Sequence, residues 1–242
     1  MNLIVTWGGG LITNIKSFLK SSFPKLLNIY YKIRFVIRSF YIQDARDHLK
    51  WNIVSGDKNK HKNYNFNSSS IFFDVGGFTG EFTDKMIEEF DCYSFIFEPL
   101  PSHFLILEKK YIENPKVKVF NYGLLDTNST ENLTEELESS RITYEKTSLS
   151  IEVRDIVEVI NELEIENINL MKLNIEGAEY RLLDRIINSG LVSKIEAFQI
   201  QYHKEGIKNP ELERIRINSE LSKTHKNIWS YYFVWERWDK KV

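Results

Sequence analysis

The chain has 242 residues with 32 Lys and Arg against 34 Asp and Glu, a net charge of −2 and a 42% hydrophobic share. That length suits one α/β domain with a large core plus an appendage. The single cysteine, Cys92, excludes an intramolecular disulfide, so the reading is cytoplasmic by default.

The first 43 residues carry Lys16, Lys20, Lys25, Lys32, Arg34 and Arg38 and no acid. They lack a basic segment ahead of an apolar one and an A-x-A-like cleavage site, so no signal peptide is expected. No uncharged run reaches the ~18 residues of a membrane span. Pro24 suits the first turn of a helix, from which Leu26, Tyr30, Ile33, Ile37 and Phe40 fall on one arc flanked by Lys25, Lys32, Arg34 and Arg38. Two uses of that stripe stay open: packing on the main domain or a second subunit, or peripheral contact with an anionic membrane surface through residues 16–40. Residues 1–54 are therefore read as a basic, aromatic helical extension. Residues 55–69, rich in Asn, Ser and Lys, read as a polar linker or loop. The main domain is expected over 70–242.

Within it, "SIFFDV" (70–75), "YSFIFE" (93–98), "VKVFNY" (117–122), "INLMKLNI" (168–175) and "EAFQIQY" (196–202) read as strands. Helical patterns lie between several of them, in "EFTDKMIEEF", "SHFLILEKKYI" and "EYRLLDRIINSG", the last closed by Gly190 as a C′ glycine. Apolar strands alternating with helices predict a doubly wound, mostly parallel sheet covered on both faces. The polar stretch 127–147 reads as a loop on the acceptor side, and the tail "WSYYFVWERW" as a final strand or hairpin that buries alternate faces, with stacking of Trp235 or Trp238 on a sugar as the other use.

Ligands of such sheets lie beyond the carboxyl ends of the strands, near Asp74, Glu98 and Asn174. The bend "DVGGFTG" fails the dinucleotide fingerprint, because Phe78 and Glu81 stand where glycines are needed, and fails the P-loop, because no Lys follows Gly80. It is D-x-G-x-x-x-G, and an acid at its head suits a cationic or ammonium-bearing ligand rather than phosphate. Glu98 ends the next strand, where a carboxylate accepts from both ribose hydroxyls, and Pro99 turns the chain out of the sheet. A ribose-facing and an amine-facing acid around a glycine bend point to S-adenosylmethionine.

The segments "DVGGFTG", "FEP", "NYGLLD", "LMKLNIEGAEYRLL" and "QIQYH" occur in an order and spacing that resembles the FkbM-type S-adenosylmethionine-dependent methyltransferases over residues 70–203. The resemblance implies O-methylation of a hydroxyl on a sugar, a glycan or another polyhydroxylated acceptor, and a class I methyltransferase sheet with an antiparallel C-terminal strand. The cofactor set expected from motif and resemblance is Asp74, Gly76, Gly77, Phe78, Gly80, Glu98, Pro99, Gly123, Leu124 and Asn174. Asn174 and Gln201 stand where the family usually has Asp and Glu; amides are no general bases and weak ligands for a hard cation, so no metal is expected.

His203 is the expected general base, with Lys172 and Glu176 in the catalytic cleft and Glu179 and Gln201 on the acceptor. The plainer readings are a surface histidine, a lysine packed in the sheet rim, and helix-capping acids. His48, His61, His103 and His225 show no metal-ligand spacing and read as structural or surface residues. No nucleic-acid partner is expected, and a homo-oligomer is one use of the N-terminal stripe. Two other functions remain: a degenerate methyltransferase fold that binds without turnover, and a nucleotide-sugar or dinucleotide enzyme on a similar sheet.

Overall fold

The structure is a computed structural model that describes residues 24–39, 42–134, 148–204 and 206–241. It divides into two compact units, Met1–Ser55 and Gly56–Val242. In the first, α1 (Pro24–Ser39) begins at its proline, and α2 (Gln43–Ile53) follows after Ile42, whose N–H donates to Arg38 O at 3.0 Å. Trp51 and Ala45 of α2 are buried, whereas Ile29, Ile33 and Ile37 of α1, spaced four apart, are 52%, 55% and 55% exposed. Leu26, Tyr30 and Phe40 of the expected stripe lie outside the described side chains, as do Lys16 and Lys20. No described helix is long and apolar enough to cross a membrane.

The second unit begins with the short α3 (Gly56–Asn59) and then alternates strand and helix. Its elements are β1 (Ile71–Val75), α4 (Glu81–Phe90), β2 (Tyr93–Phe97), α5 (Pro101–Tyr111), β3 (Val117–Phe120), β4 (Gly123–Leu125), β5 (Ser129–Thr134), β6 (Ser148–Asp155), α6 (Ile156–Glu162), β7 (Leu170–Leu173), α7 (Glu179–Asn188), β8 (Ala197–Ile200), α8 (Pro210–Leu221), β9 (His225–Tyr231) and β10 (Trp235–Lys240). Seven strands form one sheet in the order β3-β2-β1-β7-β8-β10-β9, parallel except for β10, which runs antiparallel to β8 and β9. This is the expected doubly wound sheet with an antiparallel C-terminal strand.

Both faces are apolar because neighbouring residues in each strand point opposite ways. Phe72 and Leu170 join Phe82 and Met86 of α4 on one face, with Phe72 and Phe82 stacked at 5.4 Å. Phe73 and Met171 face the other way, onto Leu182, Leu183 and Ile186 of α7 and Ile217 and Leu221 of α8. Each such side chain contributes about 1.5–3 kcal/mol by leaving water. Gly190 ends α7 at φ +79°, in the left-handed conformation expected of a C′ glycine.

Two expectations change, and one open alternative closes. The stretch 55–69 is no simple linker: it holds α3, and Tyr64 is buried with its hydroxyl donating to Gln199 Oε1 at 2.7 Å, because two aromatic residues among the polar ones find the core. The stretch 127–147 contains strand β5, paired antiparallel to β6, since Thr and Ser tolerate an edge ladder; residues 135–147 lie outside the described set. Trp235 and Trp238 are core residues of the β9–β10 hairpin at 5% and 6% exposure, not a sugar platform.

Candidate active site

The strand order reverses at β1, which lies between β2 and β7, so the crevice of a doubly wound sheet falls at the carboxyl ends of these strands. Ladder bonds run one residue past each strand there: Gly76 N–H donates to Phe97 O, Asn174 N–H to Val75 O, Glu98 N–H to Phe120 O and Gln201 N–H to Leu173 O, at 2.9–3.1 Å. The glycine bend, the Glu98-Pro99 turn, residues 174–178 and residues 201–203 are therefore held side by side.

The bend needs glycine because it lies tightly on protein. Gly76 has φ +83°, and a Cβ on it would stand 2.1 Å from Asn174 O; one on Gly80, at φ +81°, would stand 2.5 Å from the Tyr111 hydroxyl. Gly77 is closed off in the same way by Ile96, at 2.2 Å. Asp74 is not the ligand-facing acid the sequence suggests. It is fully buried, and its two oxygens accept from Lys172 Nζ at 2.8 Å and from the Thr83 hydroxyl at 2.7 Å. Lys172, 5% exposed, also donates to Gly76 O at 2.6 Å. Aspartate and lysine are register partners on adjacent strands and pair at the strand ends, so each meets the other's charge inside the protein.

Glu98 is 4% exposed and spans the crevice. Its Oε2 accepts from Phe78 N–H at 2.8 Å and its Oε1 from Leu100 N–H at 3.0 Å. Burial pushes its carboxyl above the usual carboxylate range, and the two amides and His103 oppose that rise. Each oxygen of a carboxylate has two acceptor positions, so a hydroxyl pair has acceptors here besides the amides. Pro99 packs against Gly123 of β4, and Leu124, expected at the cofactor, is a core residue at 2% exposure. Phe78, at φ +50° and 57% exposed, stands edge-on to the His103 ring at 4.5 Å. His103, read from the sequence as structural or surface, thus belongs to the bend, with Nδ1 3.9 Å from Glu98 Oε1.

Beyond β7, Asn174 presents a side-chain oxygen that is buried and has no hydrogen-bond partner. Glu176 and Gly177 follow at φ +52° and +102°. Glu179, the first residue of α7, is fully buried; it accepts from Ile175 N–H at 2.7 Å and Gly177 N–H at 2.9 Å. His203 Nδ1 lies 2.8 Å from Glu179 Oε1, and His203 Nε2 lies 3.6 Å from Oε1 of the exposed Glu176. The Tyr180 hydroxyl donates to His203 O at 2.8 Å. Glu179, expected on the acceptor, is buried and faces the histidine. Gln201, at the end of the ladder with β7, is partly exposed.

Sequence reasoning also missed Lys60. Its ammonium lies 4.7 Å from the Trp235 ring and 5.9 Å from that of Phe82, with Asp57 as ion partner at 3.2 Å, and burial pushes it below the usual lysine range. Trp235 opens β10 beside the carboxyl end of β8, so the lysine stands at the same edge of the sheet. Nothing in "GDKNKHK" singles it out. A hollow of about 490 Å³ bordered by Asp84, Ile87, Lys110 and Tyr111 lies between α4 and α5, and two of these reach the glycine bend: Lys110 Nζ donates to Thr79 O at 3.0 Å and the Tyr111 hydroxyl to Gly80 O at 2.9 Å. Among the described residues no group of three or more His, Cys, Asp or Glu is placed to hold a metal ion.

No protein-family model and no curated protein matches the chain. Solved structures that it resembles include M. capricolum TrmK in complex with its natural cofactor product S-adenosyl-homocysteine, at 13% identity and a TM-score of 0.40 over 73% of this chain and 65% of that one. The N-terminal domain of human METTL16 in complex with S-adenosyl-homocysteine gives 12% and 0.39 over 82% and 70%, and an rRNA methylase from Streptococcus thermophilus 10% and 0.43 over 73% and 90%. The chain thus spans just under two thirds of TrmK. At these identities and scores neither activity nor substrate is taken from the likenesses.

Proposed function

We propose that the chain is an S-adenosylmethionine-dependent O-methyltransferase. The observation that carries this is Glu98, a nearly closed carboxylate at the carboxyl end of β2 that grips the apex of the glycine bend through Phe78 N–H beside the switch point. Its acceptor positions suit the two ribose hydroxyls of a nucleoside, and the orphaned Asn174 oxygen suits a donor group of the amino-acid tail. The residues present therefore fit the cofactor, with Glu98, Phe78, Pro99, Gly123 and Asn174 as its contacts. Asp74, Lys172 and Leu124 support the site from behind.

Bound S-adenosylmethionine supplies an electrophilic methyl group whose transfer turns a sulfonium into a neutral thioether. The acceptor oxygen gives up a proton in that transfer, and His203 is the side chain we assign to take it. The FkbM-type motifs support a sugar, glycan or glycosylated precursor as acceptor, and the acid-poor helix α1 supports peripheral attachment to an anionic membrane surface. RNA is kept beside glycans as a candidate acceptor in the test that follows.

Calorimetry with S-adenosylhomocysteine, NAD and nucleotide sugars tests the cofactor. Binding of NAD or a nucleotide sugar alone overturns the reading, and binding of S-adenosylhomocysteine without methyl transfer to a broad panel of glycans and RNA favours a binding protein that has lost turnover.

A further inference from the structure

Glu179 sits at a junction that capping alone does not explain. Its carboxylate is fully buried, and all its recorded partners are donors or a histidine nitrogen: two backbone amides of the loop after β7 and the Nδ1 of a residue in the loop after β8. One carboxylate thus ties together the two loops that border the carboxyl edge.

The chemistry of that contact fixes a proton. An ionised carboxylate only accepts hydrogen bonds, and the amides of Ile175 and Gly177 converge on it as they would on a charged group. At 2.8 Å the Nδ1 of His203 is within hydrogen-bond reach: a hydrogen on Nδ1 makes the contact a bond to the carboxylate, whereas a bare Nδ1 would set two acceptors against each other. The backbone of His203 is anchored independently, because the Tyr180 hydroxyl donates to its carbonyl at 2.8 Å. Ring and main chain are both held.

We propose that Glu179 is a positioning residue that locks His203 in the Nδ1–H tautomer and presents Nε2 as the basic nitrogen at the acceptor side of the site. This rests on the assignment of His203 as base made above. When an acceptor hydroxyl is deprotonated, its proton passes to the Nε2 lone pair, the ring becomes an imidazolium, and the positive charge faces the Glu179 carboxylate across the Nδ1–H bond. No oxidant or further reactant enters the step. The strained Glu176, whose Oε1 lies 3.6 Å from Nε2, borders the same nitrogen from the exposed side.

The test reads the tautomer directly, without cofactor or acceptor. Protein with ¹⁵N-labelled histidine rings is examined by long-range ¹H–¹⁵N correlation at neutral pH, with the His203 resonances identified by their loss in His203→Gln. The expected result is a protonated Nδ1 and an unprotonated Nε2 in the wild type. Glu179→Ala is expected to convert His203 mainly to the Nε2–H form, and Glu179→Gln, which keeps a carbonyl oxygen to accept from Nδ1–H, to retain the wild-type tautomer. A wild-type ring protonated at Nε2, or a Glu179→Ala ring unchanged from wild type, overturns the proposal. Should Glu179→Ala not fold, the wild-type and Glu179→Gln spectra decide. Because S-adenosylhomocysteine binding is measured separately, loss of the cofactor reading and loss of the tautomer lock are distinguishable.

Discussion

Lys172 and Asp74 form an ion pair at 2.8 Å with side-chain exposures of 6% and 0%, bridging the adjacent strands β7 and β1 at the point where the sheet order reverses. The same ammonium holds Gly76 O, so the first turn of the glycine bend hangs on a charge supplied from across the sheet. The acid that heads the bend thus holds the bend in shape through a lysine.

Removing one partner leaves the other buried and uncompensated. Asp74→Ala is expected to cost about 3–5 kcal/mol of stability, far more than a surface pair would. Replacing both together, Asp74→Leu with Lys172→Met, recovers part of that cost because no orphan charge remains. Denaturant unfolding measures both, and a single variant of wild-type stability refutes the structural role.

Gly76→Ala and Gly80→Ala each force a Cβ into occupied space at a positive φ. The Gly76 methyl meets a backbone oxygen that cannot swing away, whereas the Gly80 methyl meets the end of the Tyr111 side chain. Backbone strain alone is of order 1–3 kcal/mol, so Gly76→Ala is expected to exceed that range and Gly80→Ala to fall within it. Thermal unfolding of the two variants ranks them; the reverse order contradicts the packing described here.

The parallel strands were legible because they are nearly all apolar, and helices α4, α5 and α7 because their apolar spacing is regular. Helices α6 and α8 went unread, the latter because its exposed Leu212 and Ile215 blur any single apolar face. In the site, Gly76, Glu98 and His203 could be named from motif and position. Pairing could not: nothing in the sequence says that Asp74 spends its charge on a lysine 98 positions away, or that Glu179 turns inward to a histidine 24 positions away. Those choices depend on strand register, which one sequence does not reveal.

Glu98 carries a pH signature. Because burial raises its folded-state value above the ordinary 4.5, the folded protein holds a proton there that the unfolded chain releases. Its contribution is fully present below the ordinary carboxylate range and is lost as pH rises through the raised folded value. Glu98→Gln, which does not titrate, is expected to gain stability relative to wild type across that window, and a stability difference that stays flat with pH rules this out. Glu98→Ala is expected to weaken S-adenosylhomocysteine binding by about 1–3 kcal/mol, the range for losing hydrogen bonds to a charged group, as calorimetry would show.

For His203, replacement by Ala is expected to slow methyl transfer by ~10²-fold or more while S-adenosylhomocysteine affinity stays near wild type, since the ring serves the acceptor's proton and not the cofactor. Single-turnover transfer, once an acceptor is found, separates the two. An unchanged rate returns the histidine to a structural role.

The last prediction concerns α1. Ile29, Ile33 and Ile37 form an exposed stripe, with Lys25, Lys32, Arg34 and Arg38 also exposed along the helix and no acid in it. Long basic side chains can lie over the stripe's borders with their charges in water while the apolar edge enters a headgroup layer. Near an anionic leaflet each basic residue contributes about 1 kcal/mol, so four together suffice for reversible attachment, and the attraction fades with salt. The full chain is therefore expected to co-sediment with vesicles containing an anionic phospholipid, and not with neutral ones, in a salt-sensitive way. Ile33→Ser combined with Ile37→Ser should abolish this without loss of the fold, because neither side chain is buried. Equal binding to neutral vesicles, or retention by the double variant, would show that the stripe serves another surface.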